Sequence, residues 1–86
     1  MSFRVEFSHQ AAKELKRLDR TTIKRIEARI DELSQNPFNP RISQQKEMDP
    51  ESRKSRVGDW RIIYQVDEER KIVNIASIRP RSRAYR

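Results

Sequence analysis

A single glycine, Gly58, most constrains how this chain can fold. It is followed by Asp59 and stands between two short runs of strand-forming residues, 54–57 and 60–64. Glycine readily adopts the positive φ that the first central position of a type II′ turn requires. The sequence therefore predicts a β-hairpin that turns at Gly58-Asp59. The predicted pairs are Val57 with Trp60, Arg56 with Arg61, Ser55 with Ile62, and Lys54 with Ile63.

Alternation along the two predicted strands separates charged from apolar side chains. Lys54, Arg56 and Arg61 fall on one face of the hairpin. The other face carries the apolar side chains Trp60, Ile62 and Tyr64. Like charges directly opposite one another destabilise a strand pair by up to about 1 kcal/mol. The basic face therefore either extends its side chains into solvent or binds an anion between them, and we favour a phosphate site.

The residues before the hairpin predict a strand and two helices. Phe3, Val5 and Phe7 alternate with polar residues, as in a half-buried strand. Ser8 is a typical N-cap for a first helix over residues 9–18. The second helix carries an apolar stripe at steps of three and four residues and ends at the first of two Asn-Pro pairs. Its stripe consists of Ile23, Ile26, Ile30 and Leu33.

The residues around the hairpin complete an α+β fold. Residues 37–52 hold three of the four prolines and are predicted to form a loop. A polar turn at 67–70 leads into a last strand, in which Val73 and Ile75 join the apolar face. The predicted order is β-α-α-β-β-β, with a helical hairpin packed on one face of a small, mostly antiparallel sheet. Residues 1–86 are predicted to form one domain.

Charge and composition limit the partners that this chain can bind. Twenty Lys+Arg against thirteen Asp+Glu give a formal net charge of +7, and residues 79–86 contribute four arginines and no acid. Such a surplus favours nucleic acid, an acidic protein or a membrane surface. The chain has no cysteine, and its only histidine, His9, has no second metal ligand at a suitable spacing, so no metal site is predicted. With no secretory pattern or apolar run of membrane length, we expect a cytoplasmic protein.

Arginine, lysine and tyrosine side chains remain as the candidate chemistry. Arginine presents a planar fork that suits phosphate and stays charged at physiological pH. Such residues could bind nucleic acid, with Tyr85 stacked on a base, or they could cleave RNA. Cleavage needs a base, an acid and stabilisation of the pentavalent phosphate. The base and acid would be Tyr85, a lysine or an arginine, whose pKa values ordinarily lie far from neutrality, so the free protein should be a poor nuclease.

The segment RVGDWRIIY, residues 56–64, resembles the R-V-G-D-Y-R-hydrophobic-hydrophobic-Y segment of RelE-type toxins in the RelE/ParE superfamily. The F-S-x-x-A-x-K-E-L opening at residues 7–15, the second helix and the Arg81-x-x-x-Tyr85 ending extend the resemblance over nearly the whole chain. The resemblance implies a RelE-like microbial RNase fold and a toxin of a type II toxin–antitoxin pair. RelE-type members cut mRNA in the ribosomal A site by 2′-OH attack, without a metal or another cofactor.

The resemblance also implies roles for five residues. Lys54 and Arg56 match the family's basic pair on the second strand of the fold, which contacts and stabilises the phosphate. Arg61 matches the arginine after the turn, in the same role. Arg81 matches the arginine proposed as general acid, and Tyr85 the tyrosine proposed as general base or stacking group. A frayed tail is the competing interpretation for Tyr85.

Further expectations concern RNA binding and partners. Arg79 and Arg83 are predicted to bind RNA together with Lys54, Arg56 and Arg61. Many relatives have a histidine where this chain has Pro80. The implied partners are an acidic antitoxin, the ribosome with its mRNA, and operator DNA bound only by the toxin–antitoxin complex; no membrane partner is implied. Two alternatives stay open: a ParE-like inhibitor of DNA gyrase on the same fold, and a non-catalytic basic nucleic-acid-binding protein.

Overall fold

Two helices and a five-stranded mixed sheet make up residues 2–80, the part of the chain that the computed structural model describes. In chain order the elements are β1 (Arg4–Phe7), α1 (His9–Lys16), α2 (Arg20–Gln35), β2 (Gln44–Gln45), β3 (Arg53–Val57), β4 (Trp60–Asp67) and β5 (Ile72–Pro80). The strands lie in the order β1-β5-β4-β3-β2, with β1 parallel to β5 and the other pairs antiparallel. The predicted α+β class is confirmed. The two-residue β2, inside the segment predicted as a loop, is an addition.

Capping side chains set where the helices begin. Ser8 accepts a hydrogen bond from the Ala11 amide at 3.0 Å, and its hydroxyl donates to the Ala76 carbonyl at 2.7 Å. This one residue therefore starts α1 and ties it to β5. Asp19 starts α2 by accepting from the Thr22 amide, and hydrogen bonds from Thr22 hold the pKa of its carboxyl below the usual range. Because the chain is extended at Asp19 itself, α1 cannot continue into α2, and it ends two residues earlier than predicted.

Both helices pack on one face of the sheet, as predicted. The core contains Ala11 of α1 and three stripe residues of α2, Ile26, Ile30 and Leu33. From the sheet it contains Val57, Ile62, Tyr64, Val73, Ile75 and Ile78. Trp60 is half-buried against this cluster. No helix within residues 2–80 is long and apolar enough to cross a membrane.

The hairpin forms in the predicted register. The pairs from Lys54–Ile63 through Val57–Trp60 are those expected from the sequence. Gly58 has a φ of +58°, whereas Asp59 is not among the residues with positive φ, as a type II′ turn requires. The exposed guanidinium of Arg25 on α2 also lies near the turn, since a Cβ on Gly58 would lie 3.1 Å from its Nη2.

A β-bulge in β5 changes which side chains share a face. Ile63 pairs with Ser77 whereas Tyr64 pairs with Ile75, so Ala76 has no partner residue on β4. The extra residue allows Ile75 and Ile78, three positions apart, both to be buried in the core. It also places Ser77 and Arg79 on the face opposite the core.

We expect Gly58→Ala to lower the free energy of unfolding by about 1–2 kcal/mol, because a Cβ is unfavourable at positive φ and would crowd Arg25. Asp59→Ala is the matched control in the same turn and should change stability by less than about 0.5 kcal/mol. Urea unfolding of both variants measures the difference. Equal midpoints for the two variants would contradict the turn assignment.

Candidate functional site

Three arginines stand side by side across the sheet, on the face opposite the core. Arg56 of β3 pairs with Arg61 of β4, which pairs in turn with Arg79 of β5. Neighbouring strands lie about 4.8 Å apart, so the three side chains leave the backbone within one row. We call these three residues the arginine row. The hairpin turn sets the first pair of the row and the β5 bulge sets the second.

The arginine row borders an open cavity of about 570 Å³. Two of its arginines, Arg61 and Arg79, line the cavity, and Lys46 adds a third cation from the loop before β3. The other lining residues are Glu14, Ile63, Ser77 and Pro80. Lys46 was not predicted as a site residue, because its segment shows no period that would place it against the sheet.

Among the described lining residues of the cavity, Glu14 is the one acidic residue, and its carboxylate stabilises the fold. Its carboxylate accepts hydrogen bonds from the Ile78 amide at 2.8 Å and from Nε2 of Gln10 at 3.2 Å. Ile78 lies beyond the last residue of β5 that pairs with β1, so Glu14 takes the place of a strand partner there. No local sequence pattern indicates this contact, which joins residues 64 positions apart.

The predicted basic residues are divided between two neighbouring concavities. Arg61 lines the open cavity of about 570 Å³, which we call the main cavity. Lys54 and Arg56 line a smaller cleft of about 190 Å³ on the outer side of β3. Lys54 is half-buried and Arg56 is exposed. Lys54, Arg56 and Arg61 thus line two adjacent concavities, and their placement around one phosphate stays a prediction. Arg81, Arg83 and Tyr85 lie outside the described residues; Pro80, the last described residue, lines the main cavity.

Tyr64 anchors the loop that carries Lys46. Its hydroxyl donates to the Pro37 carbonyl at 2.7 Å and is hydrogen-bonded to the Ser43 hydroxyl, which also accepts from Nε of Arg53 at 2.7 Å. Burial raises the pKa of the Tyr64 hydroxyl, although the bonded Ser43 and Arg53 act in the opposite direction. The hydroxyl is therefore neutral at physiological pH, and residues 37–43 are fixed to the sheet.

The described residues offer cationic hydrogen-bond donors rather than metal ligands. Within residues 2–80, no group of three His, Cys, Asp or Glu side chains is placed to hold a metal ion. His9 is exposed at the start of α1, as expected for a surface residue. Guanidinium and ammonium groups on an open face suit the binding and stabilisation of a phosphate.

A family model of ParE toxins of type II toxin–antitoxin systems matches residues 5–85. No curated protein sequence matches significantly. The fold is similar to that of RelE in the archaeal RelE–RelB complex from Pyrococcus horikoshii, with a TM-score of 0.79 and 28% identity over 96% of this chain and 99% of that chain.

Two further solved structures show the same fold. A chain of the toxin–antitoxin complex RelBE2 from Mycobacterium tuberculosis matches with a TM-score of 0.79 and 24% identity, over 94% of this chain and 100% of that one. The isolated E. coli RelE toxin matches with a TM-score of 0.81 and 21% identity, over 92% and 84% of the two chains.

The buried hydroxyl of Tyr64 can be tested by alkaline titration. In a Tyr85→Phe variant, Tyr64 is the only tyrosine. We expect its phenolate absorbance to appear only above the ordinary pKa of about 10, because burial disfavours the charged form. Because the folded-state pKa of Tyr64 lies above the unfolded value, its neutral hydroxyl contributes to the stability of the fold below about pH 10. That contribution is lost as pH rises through the folded-state pKa. The same variant in denaturant is the control, and identical titration curves in both conditions would contradict the anchoring role.

Proposed function

The chain belongs to the ParE toxin family of type II toxin–antitoxin systems, in the RelE/ParE superfamily, and we propose that it is a ribosome-dependent endoribonuclease that cuts mRNA in the A site. The observation that carries this proposal is the arginine row beside an open cavity, which is lined by two arginines of the row and by Lys46. A cation-lined concavity of this kind suits the backbone of an RNA strand.

The arginine row would act on the charge that develops during 2′-OH attack. In this reaction the 2′-oxygen bonds to phosphorus and the bond from phosphorus to the 5′-oxygen breaks. The 2′-OH proton goes to a base and an acid delivers a proton to the 5′-oxygen, which leaves a 2′,3′-cyclic phosphate and a 5′-hydroxyl end. Negative charge concentrates on the phosphate oxygens in between. Arg61 and Arg79 would stabilise that charge by charge-assisted hydrogen bonds.

Proton transfer is assigned to residues beyond β5. Among the described lining residues, the single carboxylate is that of Glu14, and it accepts hydrogen bonds from Ile78 and Gln10. We therefore retain Arg81 as the proposed general acid and Tyr85 as the proposed general base or base-stacking group. Neither has an ordinary pKa near neutrality, so catalysis would depend on a ribosome that orients the attacking 2′-oxygen. This proposal requires no metal ion or other cofactor.

The same basic face suggests the partners. We propose a RelB-like antitoxin whose acidic segment covers the arginine row, in keeping with the RelE–RelB complex formed by the 28% identical relative. Operator DNA would be bound by the toxin–antitoxin complex rather than by the toxin alone. The site of action would be the cytoplasm, where mRNA is translated.

A second function is favoured by one observation: the matching family model is that of ParE toxins. On this alternative the chain inhibits DNA gyrase on the same fold, and the basic residues contribute only to binding. A non-catalytic nucleic-acid-binding protein would need no more than the net charge of +7.

Toeprinting on translating ribosomes separates these functions. We expect the purified toxin to create new mRNA 3′ ends within A-site codons, because the ribosome supplies the orientation that the isolated site lacks. Isolated RNA in buffer should be cleaved slowly or not at all. Intact mRNA together with impaired supercoiling by gyrase would support the ParE-like alternative. No effect in either assay would support a non-catalytic nucleic-acid-binding protein.

The proposed site predicts the effect of two substitutions. Arg61→Ala and Arg81→Ala should each lower the cleavage rate on ribosomes by at least ~10²-fold, while ribosome binding weakens less, because the lost interactions act mainly in the transition state. Arg70→Ala is the matched control, because this substitution removes the same charge at a distance from the site. Arg70 lies in the turn between β4 and β5, beside Asp67. Wild-type cleavage rates in both test variants would show that the site has been misplaced.

A further inference from the structure

We propose that the cleft on the outer side of β3 binds a second phosphate of the RNA strand that the arginine row contacts. This inference rests on the proposed action on RNA. This edge cleft has a volume of about 190 Å³. Its lining residues are Arg29, Pro40, Arg41, Ile42, Ser43, Gln44, Lys54 and Arg56. Four of these eight residues are cations and none is acidic. Arg29 and Arg41 are not among the site residues predicted from the sequence.

Arg29 is held in place before any ligand arrives. Its Nη1 donates to the Ser55 hydroxyl at 2.9 Å and to the Arg56 carbonyl at 2.6 Å, and its Nε pairs with Glu32 at 3.2 Å. Its side chain is 23% exposed, and Nη2 makes no hydrogen bond within residues 2–80. A fixed guanidinium with a remaining donor group loses little entropy when it binds a phosphate oxygen.

Arg41 is brought to the cleft by the anchored loop. Its amide donates to Oδ1 of Asn39 at 3.0 Å, and the loop on either side is attached to Tyr64 through Pro37 and Ser43. The Arg41 side chain is exposed. The main chain is therefore fixed while the guanidinium can reach an anion in the cleft.

The cations of the edge cleft repel one another in the absence of an anion. Within residues 2–80, neither Arg41, Lys54 nor Arg56 forms an ion pair with a carboxylate, and Glu32 pairs with Arg29 on the side of α2. Like charges gathered in one concavity weaken the folded state and attract anions. An anion bound between them would relieve this repulsion.

Continuity with the arginine row favours an RNA phosphate over other anions. Arg56 belongs to both the row and the edge cleft, so the arginine row that contains Arg61 and Arg79 adjoins the cleft that Arg41 lines. Successive phosphates of one strand would follow such a surface. Pro40 and Ile42 add an apolar wall that a ribose can contact.

The test measures how salt weakens RNA binding by the purified toxin. The probe is a fluorescent single-stranded RNA with 2′-O-methyl groups throughout, which lacks the attacking hydroxyl and cannot be cut. Each phosphate contact to a single strand contributes about 0.7 to the slope of log affinity against log salt. We expect Arg41→Gln to reduce the slope by about 0.7 and to weaken binding about fivefold near 0.1 M salt. Arg41→Lys, which keeps the charge, should retain the wild-type slope.

Arg70→Gln is the matched control, because it removes one arginine from the far end of the hairpin formed by β4 and β5. It should leave the slope unchanged. An unchanged slope in Arg41→Gln, or equal losses in Arg41→Gln and Arg70→Gln, would overturn the proposal. So would an Arg41→Gln variant that keeps its RNA affinity but loses affinity for a glutamate-rich peptide, since the cleft would then bind an acidic protein. Failure of the wild type to bind this RNA would overturn it as well.

Ribosomal cleavage is measured separately, so the two proposals can fail independently. A wild-type toxin that shows an Arg41-dependent slope but leaves mRNA intact on ribosomes would retain the edge cleft and lose the nuclease function. A toxin that cuts mRNA but whose slope does not depend on Arg41 would retain the function and lose the edge cleft.

Discussion

The register of three neighbouring strands controls everything on the basic face. Gly58 and Asp59 close a two-residue turn that leaves no freedom in the pairing of β3 with β4, so Arg56 must face Arg61. The bulge at Ala76 then shifts β5 by one residue, which places Arg79 beside Arg61. A slip of one residue at either point would turn the corresponding arginine toward the core. The site is therefore a property of strand pairing rather than of one loop.

Placing like charges in a row destabilises the sheet, and the burial of apolar side chains on the opposite face of the same strands offsets this cost. Ile62 and Tyr64 alternate with Arg61 and are fully buried against the helices. On β4 the burial of Ile62 and Tyr64, which stabilises the sheet, thus also holds Arg61 on the charged face. Tyr64 extends this coupling, because its hydroxyl attaches the loop that brings Arg41 and Lys46 to the two concavities.

The sequence predicts best what local chemistry determines. The hairpin register followed from one glycine and the alternation around it, and the apolar stripe of α2 placed that helix correctly. The sequence also contains signals for two features that were not predicted: Asp19 is a typical N-cap residue, and the spacing of Ile75 and Ile78 is odd for a regular strand and indicates a bulge. Lys46, Arg29 and Glu14 could not have been found this way. Their positions depend on contacts between segments that are distant in sequence, such as Glu14 with Ile78 and Arg29 with Ser55.

The chemistry of the described site explains why a toxin of this kind would depend on a larger partner. Guanidinium groups stabilise negative charge equally well at any physiological pH, but they exchange protons poorly because their pKa lies far above neutrality. A site built from such groups can hold a phosphate and lower the energy of the transition state, yet it cannot by itself select which 2′-oxygen attacks. Orientation of the substrate must then come from outside, and on the proposed function the ribosome provides it. A site built from arginines would also be easy to inhibit. An acidic antitoxin that covers the arginine row would prevent phosphate binding and transition-state stabilisation at the same time.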